Sequence, residues 1–300
     1  MYKNPNKFIQ FELWKECHQG CKFCCNKGQP KIDKKESIKY VMDILNSDEI
    51  NEYNEIGFIG GEFFNGEIEE VKEEFYQIFD KIALLNFDRI YITAALIYDI
   101  DKSLLPFLYY LNDLEIINKV MICSSFDTIY RFKSQEEKEL WKTNMKRLKE
   151  IFPSITLHTE IILTEAFMET VLNDEFNIKN FREYFESGLD FIEPSSGLFY
   201  YNKEEAAKDL PKFFPKKSTF IKFLKKVSID NSVDLNTLLS MEVRSNKLYF
   251  IANGQRLVAD DRRNGDGKCS IPDAKIKYET GFIDSDILMK NIVNMFKNMI

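Results

Sequence analysis

The amino-acid sequence predicts an α/β fold, namely a partial TIM-type (β/α)6 open barrel followed by a C-terminal extension. Short apolar segments typical of strands alternate with longer segments of helical periodicity, and no fixed-period sequence repeat accompanies them. The character of the chain changes after about residue 200, so we expect a core domain over residues 1–200 and an extension over 201–300. A doubly wound open sheet has the same alternation, and the pattern alone leaves both architectures open.

The six predicted strands are short runs dominated by apolar residues, as expected for strands of a covered parallel sheet. They cover residues 7–13, 55–59, 89–96, 119–125, 155–163 and 191–193.

Helical segments separate these strands. The first begins after Asp33, where Glu36 completes a capping-box pattern, and the second carries apolar residues at spacings of three and four from Ile68 to Leu85. The remaining helical segments lie around residues 104–114, 136–151 and, less regularly, 181–185.

The extension predicts a β-hairpin over residues 247–257, turning at Asn253-Gly254, then a polar loop over 260–268 and a final amphipathic helix over 284–300. Its one cysteine, Cys269, is interpreted as a packed or free thiol rather than a thiol that acts on substrate. With a single cysteine, the extension is not expected to hold an auxiliary iron-sulfur cluster.

Composition limits the classes of function. The formal net charge of −7 gives no basic surface that would indicate nucleic acid as a partner. No signal peptide and no membrane-spanning segment can be identified, so we expect a cytoplasmic protein. Four of the six cysteines fall within residues 17–25, and this clustering favours metal binding over disulfides.

Cys17, Cys21 and Cys24 are spaced four and then three residues apart, in a loop directly after the first predicted strand. Three closely spaced thiolates can hold three irons of a 4Fe-4S cluster and leave the fourth iron open to a small molecule. Gly20 permits a tight turn in this loop, and Phe23 could shield the cluster from water.

This CxxxCxxC loop after a first strand resembles the signature of the radical S-adenosylmethionine (SAM) superfamily. The resemblance covers roughly residues 7–200 and implies a barrel of the radical SAM type. It also implies a 4Fe-4S cluster held by Cys17, Cys21 and Cys24. The open iron would bind SAM, and reductive cleavage of SAM would give a 5'-deoxyadenosyl radical that abstracts hydrogen from a substrate.

Two other interpretations of the cysteines remain open. A zinc site could combine the three cysteines with His18 or Cys25, although zinc ligands usually come as two separated pairs. An electron-transfer iron-sulfur protein would need a fourth cluster ligand, for which Cys25 is the nearby candidate.

Gly60-Gly61-Glu62 follows the second predicted strand, where the radical SAM family carries a GGE or GGEP motif. The resemblance implies that its backbone carbonyls bind the amino group of SAM and that the acidic side chain supports the site. Phe63 stands where the family often has proline, which is a departure from the pattern.

Further cofactor contacts are expected at the ends of later strands. Ser125 and Asp127 match a Ser-x-Asp pattern of the family and would contact SAM, or else they cap the following turn. His158 and Glu160 share one face of the fifth strand, and Glu193 and Ser195 lie at the end of the sixth. Cys123 is interpreted as a buried core residue of the fourth strand.

The resemblance also implies partners. These are SAM, a reductant such as flavodoxin or ferredoxin, and a substrate from one of three groups. The groups are a peptide or protein, a nucleotide or nucleic acid, and a glycyl radical enzyme that is activated.

Overall fold

The computed structural model describes residues 7–24, 33–127, 129–162, 164–176, 188–195, 245–252 and 255–260, with a few single positions between 216 and 226. For the strands after residue 190 it describes the backbone. Cys25, Cys269, the helical character predicted around 181–185, the loop after residue 260 and the helix predicted over 284–300 lie outside these residues.

Among the described residues, eight strands form one sheet in the order β6-β5-β4-β3-β2-β1-β7-β8, in which β1 to β7 pair with parallel neighbours and β7 pairs with β8 antiparallel. The strands are β1 (Lys7–Glu12), β2 (Glu55–Ile59), β3 (Arg89–Thr93), β4 (Val120–Phe126), β5 (Thr156–Ile162), β6 (Phe191–Ser195), β7 (Ser245–Ala252) and β8 (Gln255–Asp260).

In the part of the chain that the structure describes up to residue 176, five α-helices follow the first five strands in turn. They are α1 (Lys34–Leu45), α2 (Lys72–Ala83), α3 (Leu104–Asp113), α4 (Gln135–Ile151) and α5 (Glu165–Leu172). Short 3-10 helices precede α2 and β4 and follow α1, at Glu69–Val71, Ile117–Lys119 and Asp48–Glu52. The predicted N-cap is confirmed, because the Asp33 side chain accepts a hydrogen bond of 3.0 Å from the backbone N–H of Glu36.

The structure differs from the predicted elements at two places near the site. The helix after β5 begins at Glu165, where the Thr164 side chain caps it by accepting from the backbone N–H of Phe167. Strand β3 ends at Thr93 instead of continuing to Leu96, because Leu96 has a φ of 58° in the left-handed region. Both differences shape the loops at the carboxyl edge of the sheet.

The strand order decides between the two architectures that the sequence leaves open. Strands β1 to β6 follow one another across the sheet without a reversal, whereas a doubly wound sheet reverses its strand order at a switch point. Because β-α-β crossovers are right-handed, this sequential order places the helices on one face and lets the sheet curl. The fold is therefore a partial TIM-type open barrel, as predicted.

Burial identifies the two faces of the sheet. One face packs with the helices in a large apolar core that includes fully buried aromatic residues such as Phe11, Phe58, Phe75, Phe107 and Trp141. The opposite face carries a smaller cluster of Phe8, Tyr91 and Met121, which lines the interior of the open barrel. Side chains that alternate with the helix-packed positions therefore point into the barrel.

The hairpin predicted in the extension is confirmed. Strands β7 and β8 pair with Ala252 opposite Gln255, and β7 joins the sheet beside β1, so the hairpin prolongs the sheet past its first strand. The division into domains at residue 200 stays a prediction. Within the part of the chain that the structure describes, no helix has both the length and the apolar character needed to cross a membrane.

Candidate metal centre at the carboxyl edge of the sheet

The three cysteines lie on the loop that leaves the carboxyl end of β1. Cys17 is exposed, Cys21 is buried and Cys24 is half-buried. The backbone N–H of Cys24 donates to the carbonyl of Cys21 at 3.1 Å, and Gly20 has a φ of 64°, so the loop turns tightly between the thiols. The three predicted ligands thus lie on one loop, in which this turn joins Cys21 and Cys24.

The thiols are close enough to influence one another electrostatically. Although Cys17 reaches solvent, desolvation by its surroundings raises the pKa of its thiol to about 11, and the charges of Glu62, Cys24 and Cys21 act in the same direction. The backbone N–H of Gln19, 3.4 Å from the Cys17 sulfur, opposes this shift. A bound metal cation favours the thiolate and would reverse it, so the donor set suits an iron-sulfur cluster.

The zinc alternative can be examined for the described cysteines and His18, whereas Cys25 lies outside the described residues. Among the described residues, no three His, Cys, Asp or Glu side chains converge so as to hold a single metal ion. In a 4Fe-4S cluster each cysteine binds a different iron, so convergence on one ion is not required. His18 is exposed, and its Nδ1 lies 3.5 Å from Glu67 Oε1.

Side chains and backbone from two other strand ends anchor the cysteine loop. Gln19 Nε2 donates to the carbonyl of Ile97, after β3, at 3.0 Å. After β4, the carbonyl of Tyr130 accepts from the backbone N–H of Lys22 at 3.2 Å, and Arg131 Nη1 donates to the Cys21 sulfur at 3.1 Å. Sequence reasoning missed Gln19 and Arg131, because neither belongs to a motif.

Gly60 and Gly61 allow the end of β2 to lie against the segment that precedes Cys17. The backbone N–H of Gly61 donates to the carbonyl of Trp14 at 2.6 Å, and that of Glu62 donates to the carbonyl of Glu16 at 2.9 Å. A Cβ atom on Gly61 would lie 1.8 Å from the Glu16 carbonyl oxygen. The close approach seen here joins two backbone segments of the site, while the predicted contact with SAM stays a prediction.

Glu62 connects the ends of β2 and β3 from a fully buried position. Its carboxylate accepts from the backbone N–H of Phe64 at 2.9 Å and from that of Ala95. Burial raises the pKa of Glu62, although these hydrogen bonds and the charge of Arg131 oppose the shift. The Tyr98 hydroxyl lies near enough to lower this pKa as well. The side chain therefore supports the loops around the site.

Glu62→Gln is expected to change how the stability of the metal-free protein depends on pH. A carboxyl whose pKa is raised by folding keeps its proton longer in the folded state, so stability falls as pH rises from the ordinary glutamate pKa to the folded one. In the variant, the free energy of unfolding should not show this decrease with rising pH. Urea unfolding between pH 4 and pH 8 measures it, and a wild-type minus variant difference that rises or stays flat with pH would contradict the prediction.

Asp127 uses its carboxylate within the loop after β4. It is fully buried and accepts from the backbone N–H groups of Ile129 and Tyr130 and, at 2.7 Å, from the Thr164 hydroxyl. Burial raises the pKa of Asp127, and these hydrogen bonds oppose the shift. Of the two interpretations from the sequence, the turn cap describes the contacts seen here, and a contact with SAM stays a prediction.

The remaining predicted residues lie on the interior face of the barrel. Ser125 pairs in register with Glu160, and Glu160 with Glu193, so the three positions form one row near the carboxyl edge. His158 is on the same face, as expected. The structure corrects the interpretation of Cys123, which is half-buried on this interior face with its sulfur 3.5 Å from His158 Nδ1, because it alternates with the core positions of β4.

The fold resembles that of solved structures of the protein anSMEcpe. The structure titled native anSMEcpe with bound AdoMet and Kp18Cys peptide aligns with a TM-score of 0.50 at 14% identity over 78% of this chain and 66% of that chain. The same protein with Cp18Cys peptide gives a TM-score of 0.46 at 14% identity over 79% and 67%. The FeFe-hydrogenase maturase HydG from Carboxydothermus hydrogenoformans gives 0.43 at 13% identity over 75% and 52%.

The alignment with a TM-score of 0.50 shows, at 14% identity, that this chain shares the fold of anSMEcpe. This chain spans about two thirds of the length of anSMEcpe. No family model matches the sequence, and no curated protein matches it.

Proposed function

We propose that this protein is a radical SAM enzyme. Cys17, Cys21 and Cys24 hold a 4Fe-4S cluster, and SAM binds at the carboxyl edge of the barrel beside Gly60-Gly61-Glu62. When bound, the cluster and SAM supply the electron and the 5'-deoxyadenosyl radical that abstracts hydrogen from the substrate.

The observation that carries the proposal is where the three-cysteine loop lies. It leaves the carboxyl end of the first strand of an open parallel barrel, and the segment just before Cys17 is hydrogen-bonded to the Gly-Gly-Glu turn at the end of the second. In such barrels, side chains that perform chemistry gather at the carboxyl ends of the strands. A loop of three cysteines at this edge has the ligand number of a cluster with one open iron.

Residues of the chain have separate tasks in this proposal. The three thiolates bind iron, and the buried Glu62 carboxylate fixes the loops after β2 and β3 around them. Phe23, which is buried, excludes water from the cysteine loop. Ser125, Asp127, Glu160 and Glu193 are proposed to surround SAM, and the half-buried Ser125 and Glu160 have the exposure that such a contact requires.

The substrate is proposed to enter the barrel interior, and it belongs to one of the three groups named above. The interior face offers both polar and apolar contacts, with Ser125, His158 and Glu160 near the carboxyl edge and Tyr91 and Met121 deeper in the barrel. A flavodoxin or ferredoxin is the proposed reductant.

The test is anaerobic reconstitution with iron and sulfide, followed by dithionite and SAM, with quantification of 5'-deoxyadenosine. Wild-type protein should be brown, contain about four irons per chain and release 5'-deoxyadenosine. Cys21→Ala should lose the cluster and release no more 5'-deoxyadenosine than a protein-free reaction, because one of three thiolate ligands is gone.

The thiol of Cys25, next to Cys24 in the sequence, provides a matched control that distinguishes a radical SAM enzyme from an electron-transfer protein. Cys25→Ala should keep both the cluster and SAM cleavage, whereas an electron-transfer protein that uses Cys25 as its fourth ligand would lose its cluster. A colourless wild-type protein that binds only zinc would refute the proposal in favour of a structural zinc site.

A further inference from the structure

Arg131 is a buried cation whose guanidinium reaches the cysteine loop. The residue is 7% exposed, Nη1 donates to the Cys21 sulfur at 3.1 Å and Nη2 donates to the carbonyl of Ala95 at 3.1 Å. Arginine is seldom buried without partners that compensate its charge. Here a cysteine proposed as an iron ligand is one of those partners.

The third donor of the same side chain is its Nε–H group. Within the described residues, Nε of Arg131 is buried and makes no hydrogen bond. A buried unpaired N–H costs free energy unless a group that is bound during function accepts it. The guanidinium therefore has unused donor capacity beside the cysteine loop.

The backbone that carries Arg131 is fixed from the other side by Asp127. The carboxylate accepts from Ile129 and Tyr130, and its second oxygen accepts from the Thr164 hydroxyl at 2.7 Å. Thr164 in turn caps the first turn of α5. Hydrogen bonds, together with the covalent backbone from Tyr130 to Arg131, thus link the start of α5 to the Cys21 sulfur.

We propose that Arg131 is a positioning residue of the iron-sulfur centre, which orients the Cys21 thiolate and raises the reduction potential of the cluster. The inference rests on the proposed function. Hydrogen bonds to cluster sulfurs and positive charge near them favour the reduced, more negative form, so they raise the potential. Burial raises the pKa values of Glu62 and Asp127, and the nearby charge of Arg131 opposes both shifts.

The proposal is tested by a redox titration of the reconstituted protein without SAM, followed by EPR of the reduced cluster. At the wild-type midpoint potential, Arg131→Met should lower the ratio of reduced to oxidised cluster about tenfold, which is ~59 mV for a one-electron couple. Arg131→Lys keeps the charge but loses the planar fork, so its shift should be smaller and in the same direction.

A matched arginine serves as the control. Arg147→Met removes a guanidinium that makes an exposed ion pair with Asp101 on the surface, and it should leave the potential unchanged. Circular dichroism of the metal-free variants verifies folding. If a folded Arg131→Met protein takes up less iron than Arg147→Met, the positioning role is supported. The effect of Arg131 on the reduction potential of the cluster is then measured by the titration of Arg131→Lys.

Two results would overturn the inference in distinguishable ways. Wild-type and Arg131→Met clusters with equal potentials, equal EPR spectra and equal iron content would refute the role of Arg131 and leave the proposed function standing. Wild-type protein that takes up no iron-sulfur cluster would refute the proposed function and, with it, this inference.

Discussion

Gly61→Ala is expected to destabilise the folded protein by about 3 kcal/mol or more and to reduce its uptake of iron. The added Cβ would lie 1.8 Å from the carbonyl oxygen of Glu16 and 2.5 Å from its carbonyl carbon. Because these are backbone atoms, no side-chain rotation relieves the clash, and the segment before Cys17 must move. The hydrogen bond of 2.6 Å from the Gly61 N–H to the Trp14 carbonyl would be strained or lost.

Gly66→Ala is the matched control for this prediction. A Cβ at Gly66 meets no atom within 4 Å, but its φ of 91° is unfavourable for alanine, so we expect a loss of about 1–2 kcal/mol. Urea unfolding of the metal-free proteins measures the loss of folding free energy in both variants. Iron content after reconstitution measures the reduced uptake of iron. A Gly61→Ala protein no less stable than Gly66→Ala would mean that the two backbone segments separate easily.

The fold was largely predictable because local patterns of apolar residues in the sequence indicate its strands and helices. Alternation along β4 and β5 and the apolar period of α2 arise from which face each residue buries, and this is visible in a single sequence. The order of the strands was not visible, since the same alternation suits two architectures. Helix α5 was missed because it has only eight residues, too few to establish a period.

The site was predictable only in its contiguous parts. Cys17, Cys21 and Cys24 share one loop, so their spacing alone reveals them. Gln19 and Ile97 lie 78 positions apart along the chain, and Arg131 and Cys21 lie 110 apart. Such contacts exist only once β1, β3 and β4 are neighbouring or near-neighbouring strands, and a lone arginine after a strand is otherwise typical of a surface loop.

Asp127 illustrates a different limit. Its position at the end of a strand was correctly singled out, but a short acidic side chain there can face a ligand or cap a turn, and composition does not distinguish them. The structure gives it Ile129, Tyr130 and Thr164 as partners. Its link to Arg131 follows from the turn it caps, which no pattern in the sequence encodes.

Trp14→Ala is expected to lower the free energy of unfolding by about 3–5 kcal/mol and to disturb the metal centre as well. Trp14 is fully buried between the end of β1 and the cysteine loop. Its ring centroid lies 4.9 Å from that of Phe63 and 5.9 Å from that of Phe75, and Lys34 Nζ lies 5.4 Å from it. Removing the ring leaves a cavity directly beside the backbone that Gly61 contacts.

Phe79→Ala separates loss of core packing from loss of the site. Phe79 is equally buried, but its ring packs against Phe58, Phe75 and Phe107 in the helix-packed core. Both variants should unfold at lower urea concentrations than the wild type, by similar amounts. At a temperature where both remain folded, Trp14→Ala alone should take up less iron and release less 5'-deoxyadenosine.

The comparison has a defined contrary result. If Phe79→Ala lost iron as severely as Trp14→Ala, cluster uptake would follow global stability, and the aromatic contacts of Trp14 would have no separate role in holding the cysteine loop. Trp14→Phe refines the measurement, since it keeps an aromatic ring against Phe63 while removing the indole N–H that lies 3.5 Å from the Glu62 carbonyl. Iron content near the wild-type level in Trp14→Phe would assign the effect of Trp14 to packing, because that hydrogen bond is long and contributes little.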